Sequence, residues 1–451
     1  MKIRGKKERL LLFFGDLIIL YFSLYLTLAV RYRQLPNIME FREHLAPFSI
    51  LFIFWILVFF IAGLYEKHTL ILRSRLPQIV LNAQITNVSI AVVFFYFISY
   101  FEITPKTNLF IYIIVSSVFI LIWRNYGYRV VSSSKKQNAV LVGFGEEIKE
   151  LAEEVNNNLH YNLRFISSVD IDNLEGIDFD EELIKRIYSD DVSVVVIDLK
   201  DDKVEPLLPH LYNLIFSKVR FVDMHKIYED IFDRIPLSLL RYNWFLENIS
   251  MSPSPVFDFL KRSIDVLLSS VLTILSIPFY IAAYILIKLD DGGPVFIVQE
   301  RIGQNNRPIK IIKFRSMSRN DQGEYDSELA QNNKITRVGK YLRKSRIDEI
   351  PQLLNVIEGK LSLVGPRPEL PALVKKYEKE IPYYNVRHLI KPGLSGWAQI
   401  YHDNHPHHKE EVMATKEKLS YDLFYIKNKS FLIDLKIALR TLKTLVSRSG
   451  I

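Results

Sequence analysis

Two adjacent carboxylates, Asp348 and Glu349, lie in the run R-I-D-E-I-P-Q-L-L-N-V-I-E-G-K-L-S-L-V-G-P-R-P from Arg346 to Pro368. Leu353, Leu354, Val356 and Ile357 follow at helical spacing and predict a buried helix face. Pro351 is tolerated only in a first helical turn, so the spacing predicts a helix beginning near Asp348. The acids then sit at a helix N-terminus, where free N–H groups and the macrodipole favour anions. A lone Asp-Glu in that position reads as a cap and a first-turn acid. Here Arg343, Lys344 and Arg346 precede the pair and Arg367 follows it, in the stiff turn Gly365-Pro366-Arg367-Pro368. Acids set among such cations read as a site for a diphosphate and a metal ion, with Asp348 and Glu349 as the metal-binding side chains.

Further cations stand beside glycine or proline turns. They are Arg301 in Q-E-R-I-G, Lys313 and Arg315 in I-K-F-R-S-M, Arg343 in T-R-V-G-K-Y-L-R-K-S, Arg367 in P-R-P and Lys391 in K-P-G-L-S-G-W-A-Q. Each alone is a solvated charge. Together they predict backbone and guanidinium groups converging on phosphates. His402, His405, His407 and His408 form no i, i+4 pair on a helix, so they read as a solvated or substrate-edge loop rather than a zinc site.

Elements must bring these groups to a surface. The chain has 451 residues, a net charge of +8 and no cysteine. It has room for two or three domains and no disulfide or thiolate metal site. Its basic residues flank long apolar runs, which points to a membrane rather than nucleic acid as partner. Four such runs, Leu10 to Val30, Leu45 to Leu64, Ile85 to Phe101 and Leu109 to Trp123, each approach the ~20 residues that cross a bilayer. Lys2, Arg4, Lys6, Lys7 and Arg9 place the N-terminus in the cytoplasm, and an even number of crossings returns the chain there. Arg31 and Arg33 run against this orientation. Asp16, inside the first run, is expected to face a neighbouring helix rather than lipid.

From about Gln137 to Asn248 strands alternate with helices, which predicts a parallel Rossmann-type sheet. The nucleotide fingerprint is broken: Gly143 and Gly145 are present, Ile148 takes the third glycine position, and Glu146 and Glu147 would repel a pyrophosphate. A cofactor-binding domain and a scaffold that has lost its cofactor both remain open. After the linker Ser252 to Pro255, the apolar run Phe259 to Leu289 is broken by Pro278, with Ser276 placed to bond a freed carbonyl. Lys261 and Arg262 at one end and Lys288 at the other both seek a headgroup surface. A helix that enters and leaves on one side satisfies them, and a kinked span is the alternative. The final helix, Phe431 to Val446, reads either as a basic amphipathic helix on the membrane or as a core helix.

The organisation expected is an α/β membrane protein. Residues 1–135 form a four-helix transmembrane bundle and 136–250 a Rossmann-like domain. Residues 256–451 form a mostly helical catalytic domain with a re-entrant helix at 259–289.

From Lys261 onward the chain resembles the bacterial sugar transferases, the monotopic phosphoglycosyl transferases. The motifs carrying the resemblance are K-R-x-x-D, Q-x-R-x-G, K-F-R-S-M, R-x-D-E-x-P-Q-L-x-N-V, S-L-V-G-P-R-P, K-P-G-L-S-G-W-A-Q and Y-D-x-x-Y-I-K-N-x-S. With its front end, the chain is similar to the long-form members, such as the undecaprenyl-phosphate galactose and glucose phosphotransferases. The resemblance implies transfer of a sugar-1-phosphate from a UDP-sugar to undecaprenyl phosphate with release of UMP, at the bacterial inner membrane and on its cytoplasmic face. Such transfer opens O-antigen, capsule or exopolysaccharide synthesis. It implies Asp348 as nucleophile, Glu349 as acid/base or metal-positioning partner, Mg2+ as cofactor, a homodimer, and phosphate or uridine contacts from Lys313, Arg315, Arg343 and Arg367. Lys391 stands where the family has Arg or Lys. Two departures are Ile277 before Pro278, with Ser276 one residue early, and Ile400-Tyr401-His402-Asp403 after G-W-A-Q, which leaves the sugar open. Two other classes fit the residues less well: a membrane scaffold should have lost the acid pair, and an oxidoreductase needs an intact glycine fingerprint.

Overall fold

The structure, a computed structural model, describes residues 5–65, 76–97, 106–127, 136–143, 145–158, 161, 163–170, 189–199, 201, 204–205, 208–213, 219–249, 255–290, 292–318, 334–401 and 412–447. The histidine loop, the linker before Pro255 and the end of the third apolar run lie outside them. The chain divides into two units, Met1–Asp230 and Ile231–Ile451.

The first unit opens with α1 (Gly5–Tyr32), α2 (Ile38–Ile61), α3 (Leu76–Phe97) and α4 (Lys106–Ile122). Three of them hold apolar stretches of 23, 24 and 22 residues, long enough to cross a membrane, and the apolar part of α4, Asn108–Ile122, is shorter. Residues of all four share one core, including Leu20, Leu24, Phe48, Phe52, Trp55, Val80 and Tyr112. Helix α2 begins ahead of the expected Leu45, at a capping box of Asn37 and Glu40. Helix α3 begins at Leu76 instead of Ile85, and two of its polar residues, Gln84 and Asn87, turn inward. The Gln84 amide donates to Ser116 Oγ at 3.0 Å and Asn87 donates to Gln84 at 3.2 Å. A hydropathy pattern cannot register a polar side chain such as Gln84 that bonds to a neighbouring helix. Asp16 is fully buried, accepts from the Tyr65 hydroxyl at 2.8 Å and pairs with Arg124.

The unit continues with β1 (Gln137–Gly143), α5 (Glu146–Asn157), β2 (Leu163–Asp170), β3 (Val192–Ile197), α6 (Leu208–Asn213) and β4 (Arg220–Asp223). Its strands make a parallel sheet in the order β2-β1-β3-β4. Val140, Val142, Val195 and Ile197 form its core. Helix α7 (Met224–Phe232) follows.

The second unit is mostly helical. After α8 (Tyr242–Asn248) come α9 (Pro255–Leu275) and α10 (Ile277–Asp290), bent by 54° at Ser276. The Ser276 hydroxyl donates to the Thr273 carbonyl at 2.8 Å, and the Ser276 carbonyl accepts from Phe279 and Tyr280. Pro278 has no N–H to continue the ladder, so the helix restarts with these contacts. Hairpin strands β5 (Phe296–Ile302) and β6 (Pro308–Phe314) follow, then α11 (Arg337–Lys344), a 3-10 turn at Ile347–Glu349, and α12 (Gln352–Glu358). Strands β7 (Ser362–Val364) and β8 (Gly393–Ser395) pair in parallel, and a side chain at Gly393 would collide with the backbone of Gly365. Between them lies α13 (Pro371–Glu380), and beyond them α14 (Trp397–Tyr401), α15 (Val412–Asn428) and α16 (Phe431–Ser447). In α16, Ile437 packs with Trp397 and Tyr425, while Leu432, Leu435, Leu442 and Leu445 are exposed.

Both arms of the bent helix are tied to this same unit. Lys261 pairs with Asp434 at 2.6 Å, and Asp265 accepts from Ser362 Oγ at 2.7 Å. At the other end Asp290 accepts from the Val338 N–H at 3.1 Å, and Ala283 and Ile287 pack with Val295, Phe314 and Leu342. Along the rest of α9 and α10, large apolar side chains such as Phe259, Leu267, Leu275, Phe279 and Ile281 are at least half exposed.

Candidate active site

Asp348 and Glu349 do not open an α-helix. Pro351 cannot donate the hydrogen bond an α-helix starting at Asp348 requires, so the chain takes a tighter i→i+3 turn and α12 starts only at Gln352. Glu349 donates its N–H to the Arg346 carbonyl at 3.2 Å, and Ile350 donates to Ile347 at 3.1 Å. Side chains three apart stack in such a turn. Ile347 and Ile350 accordingly both pack against the cluster of Phe314, Leu342, Val295 and Ile287. The intervening carboxylates are turned the other way. Arg346, which enters the turn, has φ of 55°, a left-handed conformation that costs about 1 kcal/mol or more for a residue with a side chain.

Hairpin β5–β6 carries cations to this place. Its register pairs Ile297 with Lys313 and Arg301 with Ile309, so Lys313 and Arg301 share one face. Asn355, fully buried on α12, holds the hairpin there: its amide accepts from the Ile312 N–H at 2.9 Å and donates to the Lys310 carbonyl at 3.1 Å. From the opposite side Arg367 donates to Glu349 at 2.5 Å.

The two acids have different surroundings. Burial and the neighbouring Glu349 charge push Asp348 up to about 6, against the pull of Lys313, Arg343 and Arg367. Burial acts upward on Glu349 too, but Arg367 and Lys313 outweigh it and hold Glu349 down at about 2. The protons belong to the pair: Glu349 ionises first and Asp348 second. Burial and the Arg301 charge lower Lys313 to about 8. Neither the Asp348 carboxylate nor the Lys313 ammonium has a hydrogen-bond or ion-pair partner among the described residues. A half-buried anion and cation left without partners form a place prepared for a polar, charged ligand.

Asp348, Glu349, Lys313, Arg343 and Arg367 are thus brought together, with Arg301 behind Lys313. Arg301 donates to the Gln299 side chain at 2.9 Å and to the Pro368 carbonyl at 3.5 Å. Arg315 turns away, its Nε donating to the Pro294 carbonyl at 2.7 Å and its guanidinium lying against Gly293. Lys391 stands at the far end of α12, beside Arg262 and the cap residue Gly359, roughly 10 Å of helix from the acids. Ser276 and Pro278 lie at the bend between α9 and α10.

The donor set bears on a metal. Among the described residues no three metal-ligating side chains come together, and Glu349 is already held by Arg367. A cage built from protein groups alone does not fit. A magnesium ion bound by Asp348, with Glu349 beside it, and completed by substrate phosphates does fit, because Mg2+ commonly takes one or two carboxylates and leaves the rest to phosphate and water.

Residues 256–448 match the family described as bacterial sugar transferase. The chain is 39% identical over 197 residues to the UDP-glucose:undecaprenyl-phosphate glucose-1-phosphate transferase of Caulobacter vibrioides, covering 43% of this chain and 73% of that protein. This chain belongs to the bacterial sugar transferase family. A longer match is the UDP-N-acetylgalactosamine-undecaprenyl-phosphate N-acetylgalactosaminephosphotransferase of Aeromonas hydrophila, 37% identical over 259 residues, 57% of this chain and 59% of that one. The exopolysaccharide production protein PSS of Rhizobium leguminosarum is 36% identical over 194 residues, 42% of this chain and 96% of that protein. The chain thus spans about three-fifths of the Aeromonas relative.

Within the sugar transferase region, Arg262 does not serve the headgroup contact expected of it, and three further buried polar residues, Asp265, Asn355 and Arg387, hold elements together without having been singled out for it. Arg262 donates to the Val356 and Ile357 carbonyls at 2.6 and 2.7 Å and so closes the C-terminus of α12. Asp265 ties α9 to β7, and Asn355 ties α12 to the hairpin. These three stand inside motifs already singled out, where a polar residue on an apolar helix face was the available signal. Arg387, fully buried between Asp422 and Tyr384, stands outside every quoted motif.

Proposed function

We propose that this protein transfers a sugar-1-phosphate from a UDP-sugar to undecaprenyl phosphate and releases UMP, through a covalent aspartyl-phosphosugar. The observation that carries this reading is the Asp348 carboxylate, turned toward Lys313, Arg343 and Arg367 without a protein partner of its own. Asp348 attacks the phosphorus that bears the sugar, and the bond from that phosphorus to the bridging oxygen breaks, so UMP departs. A phosphate oxygen of the lipid then attacks the same phosphorus and frees Asp348. Dividing one displacement into two lets a single site serve a soluble donor and a lipid acceptor in turn. Lys313 and Arg343 hold the diphosphate, while Arg367 keeps Glu349 ionised beside it. Magnesium, held by Asp348 and Glu349 with the substrate phosphates, would neutralise the diphosphate charge. The relatives' names include both glucose and N-acetylgalactosamine donors, and one is an exopolysaccharide production protein.

The arrangement in the membrane belongs to the same proposal. As a straight helix, α9 and α10 would reach roughly 50 Å and part their two ends across a bilayer. Both ends instead grip one soluble body, which supports a re-entrant helix. Four N-terminal crossings with both ends inside, in residues 1–135, keep the transferase region 256–451 on the cytoplasmic face of the inner membrane. The parallel sheet within 136–250 acts as a Rossmann-like scaffold, and the likeness to long-form members supports a homodimer. The test is UMP release from UDP-glucose and UDP-N-acetylgalactosamine with undecaprenyl phosphate, with and without Mg2+. Asp348→Asn abolishes release while still inserting into the membrane; a fully active Asp348→Asn protein would overturn the nucleophile.

A further inference from the structure

The chain enters the second unit at Ile231, well before residue 256, where the family match begins. Residues 231–249 lie outside the matched region but are built into its core. Ile235, Leu240 and Trp244 are buried and share one cluster with Tyr377 of α13 and with Leu419 and Leu423 of α15. Lys427 of α15 lies over the Trp244 ring at 5.2 Å. Ser420 holds Ile235 by both main-chain groups: its carbonyl accepts from the Ile235 N–H at 3.2 Å, and its hydroxyl donates to the Ile235 carbonyl. Arg234 pairs with Glu417 at 2.8 Å. The segment is a strap laid across α13 and α15.

One contact of the strap reaches a motif. Trp397 of G-W-A-Q is 2% exposed, and its indole N–H donates to the Asp233 carbonyl at 2.9 Å. A buried indole needs an acceptor, and one left unpaired is costly. Here the acceptor comes from the strap. Asp233 has φ of 54°, a left-handed conformation that persists in a residue with a side chain only where its surroundings hold it. Trp397 in turn follows directly on the strand that locks the Arg367 turn. The Gly365 N–H donates to the Ser395 carbonyl at 2.9 Å, and the Gly393 N–H donates to the Pro366 carbonyl at 2.9 Å. A side chain at Gly396 would collide with the Gly365 carbonyl, and Val364 packs in one cluster with Trp397. Two residues beyond Gly365, Arg367 grips Glu349. We infer that residues 231–249 are a positioning strap for the transfer reaction: by holding Trp397 they fix β8 against the Gly365–Pro366 turn, and so keep Arg367 on the acid pair. The inference rests on the proposed transferase reading for its effect on rate, but not for its packing.

Trp244→Ala removes the strap's largest side chain from the cluster and leaves the acid pair and its cations in place. Hydrogen exchange of the full chain in nanodiscs, read by mass spectrometry, should show the peptides of β7 and β8 exchanging about tenfold faster, while α11, which packs in a separate cluster, keeps its rate. The single-turnover rate constant for UMP release, measured with enzyme in excess, does not depend on how much of the protein is folded. It should fall about tenfold or more, because small misplacements of a site group carry costs of that size. Should Trp244→Ala not fold, the partly exposed Arg234–Glu417 pair offers a milder change: Arg234→Glu gives the same pattern to a smaller degree, and adding Glu417→Arg returns both readouts toward wild type. Unchanged exchange at β7 and β8, an equal acceleration at α11, or an unchanged single-turnover rate overturns the inference. A wild-type protein that releases no UMP from any UDP-sugar overturns the transferase reading instead, and the exchange pattern still decides whether the strap holds the turn.

Discussion

Replacing Asp348 by Asn should make the protein more stable while removing its activity. In the folded chain Asp348 ionises at about 6, above the ordinary aspartate value of 3.8. A carboxyl whose folded value is raised contributes its full stability below 3.8 and loses it as pH rises through about 6. At pH 7.5 the wild type therefore carries the whole penalty, at most about 3 kcal/mol. Solvent reaching the half-buried group brings this to about 1–2 kcal/mol. Asn fills nearly the same volume and carries no charge, so the penalty disappears. For a unit of this size that is a rise of roughly 3–6 °C in thermal midpoint. The gain should shrink to about a third at pH 4.5, where wild-type Asp348 is already mostly protonated. Thermal unfolding in nanodiscs at both pH values, beside the UMP assay, makes the measurement. A lower midpoint at pH 7.5, or an equal rise at both pH values, would show that Asp348 bears no electrostatic cost and that this account of the site is mistaken.

Two further outcomes follow from the same geometry. The rate of transfer should depend on pH as a bell, rising through about 6 as Asp348 ionises and falling through about 8 as Lys313 loses its proton; Lys313→Arg, which cannot deprotonate, should abolish the basic limb in whatever activity it retains. The chain has no cysteine, so single cysteines report sidedness cleanly: Tyr242→Cys and Arg307→Cys, exposed positions on either side of the bent helix, should both react with an impermeant thiol reagent from the cytoplasmic side, whereas labelling from opposite sides would make the helix a true span.

Much of this was legible in the residues because the signals were local. Pro278 and Ser276 predicted a broken helix with a hydroxyl at the break, and the bend and the Ser276–Thr273 hydrogen bond are there. The strands of the middle region were legible from runs such as Val192 to Ile197. The helix start near Asp348 was misplaced, because periodicity reports which residues are buried and not whether the hydrogen bonds run to the third or the fourth residue. The start of helix α3 is hidden for a related reason: Gln84 looks like a boundary until its partner Ser116 on the neighbouring helix is known. Arg315 and Lys391 were grouped with the phosphate cations on charge and motif alone. Which cation turns toward the acids is settled by strand register and helix length, and neither can be read from spacing. Arg387 was invisible because its partners Asp422, Glu369 and the Arg367 carbonyl come together only in the fold.

The adjacency of the two acids is what gives them different work. Neighbouring carboxylates in one tight turn repel each other, so both stay ionised only if cations are shared between them. Arg367 spends its short contact on Glu349, and that contact is backed by a buried scaffold. Asp348 receives only the longer-range pull of Lys313, Arg343 and Arg367. One acid is thereby satisfied by the protein and the other is left open, as the proposed nucleophile requires. A nucleophile for a diphosphate needs this imbalance: ionised at neutral pH, held by no strong hydrogen bond, and surrounded by cations that the incoming phosphates will claim. A swap of surroundings, with the guanidinium moved from Glu349 to Asp348, would give a more comfortable site and a slower nucleophile.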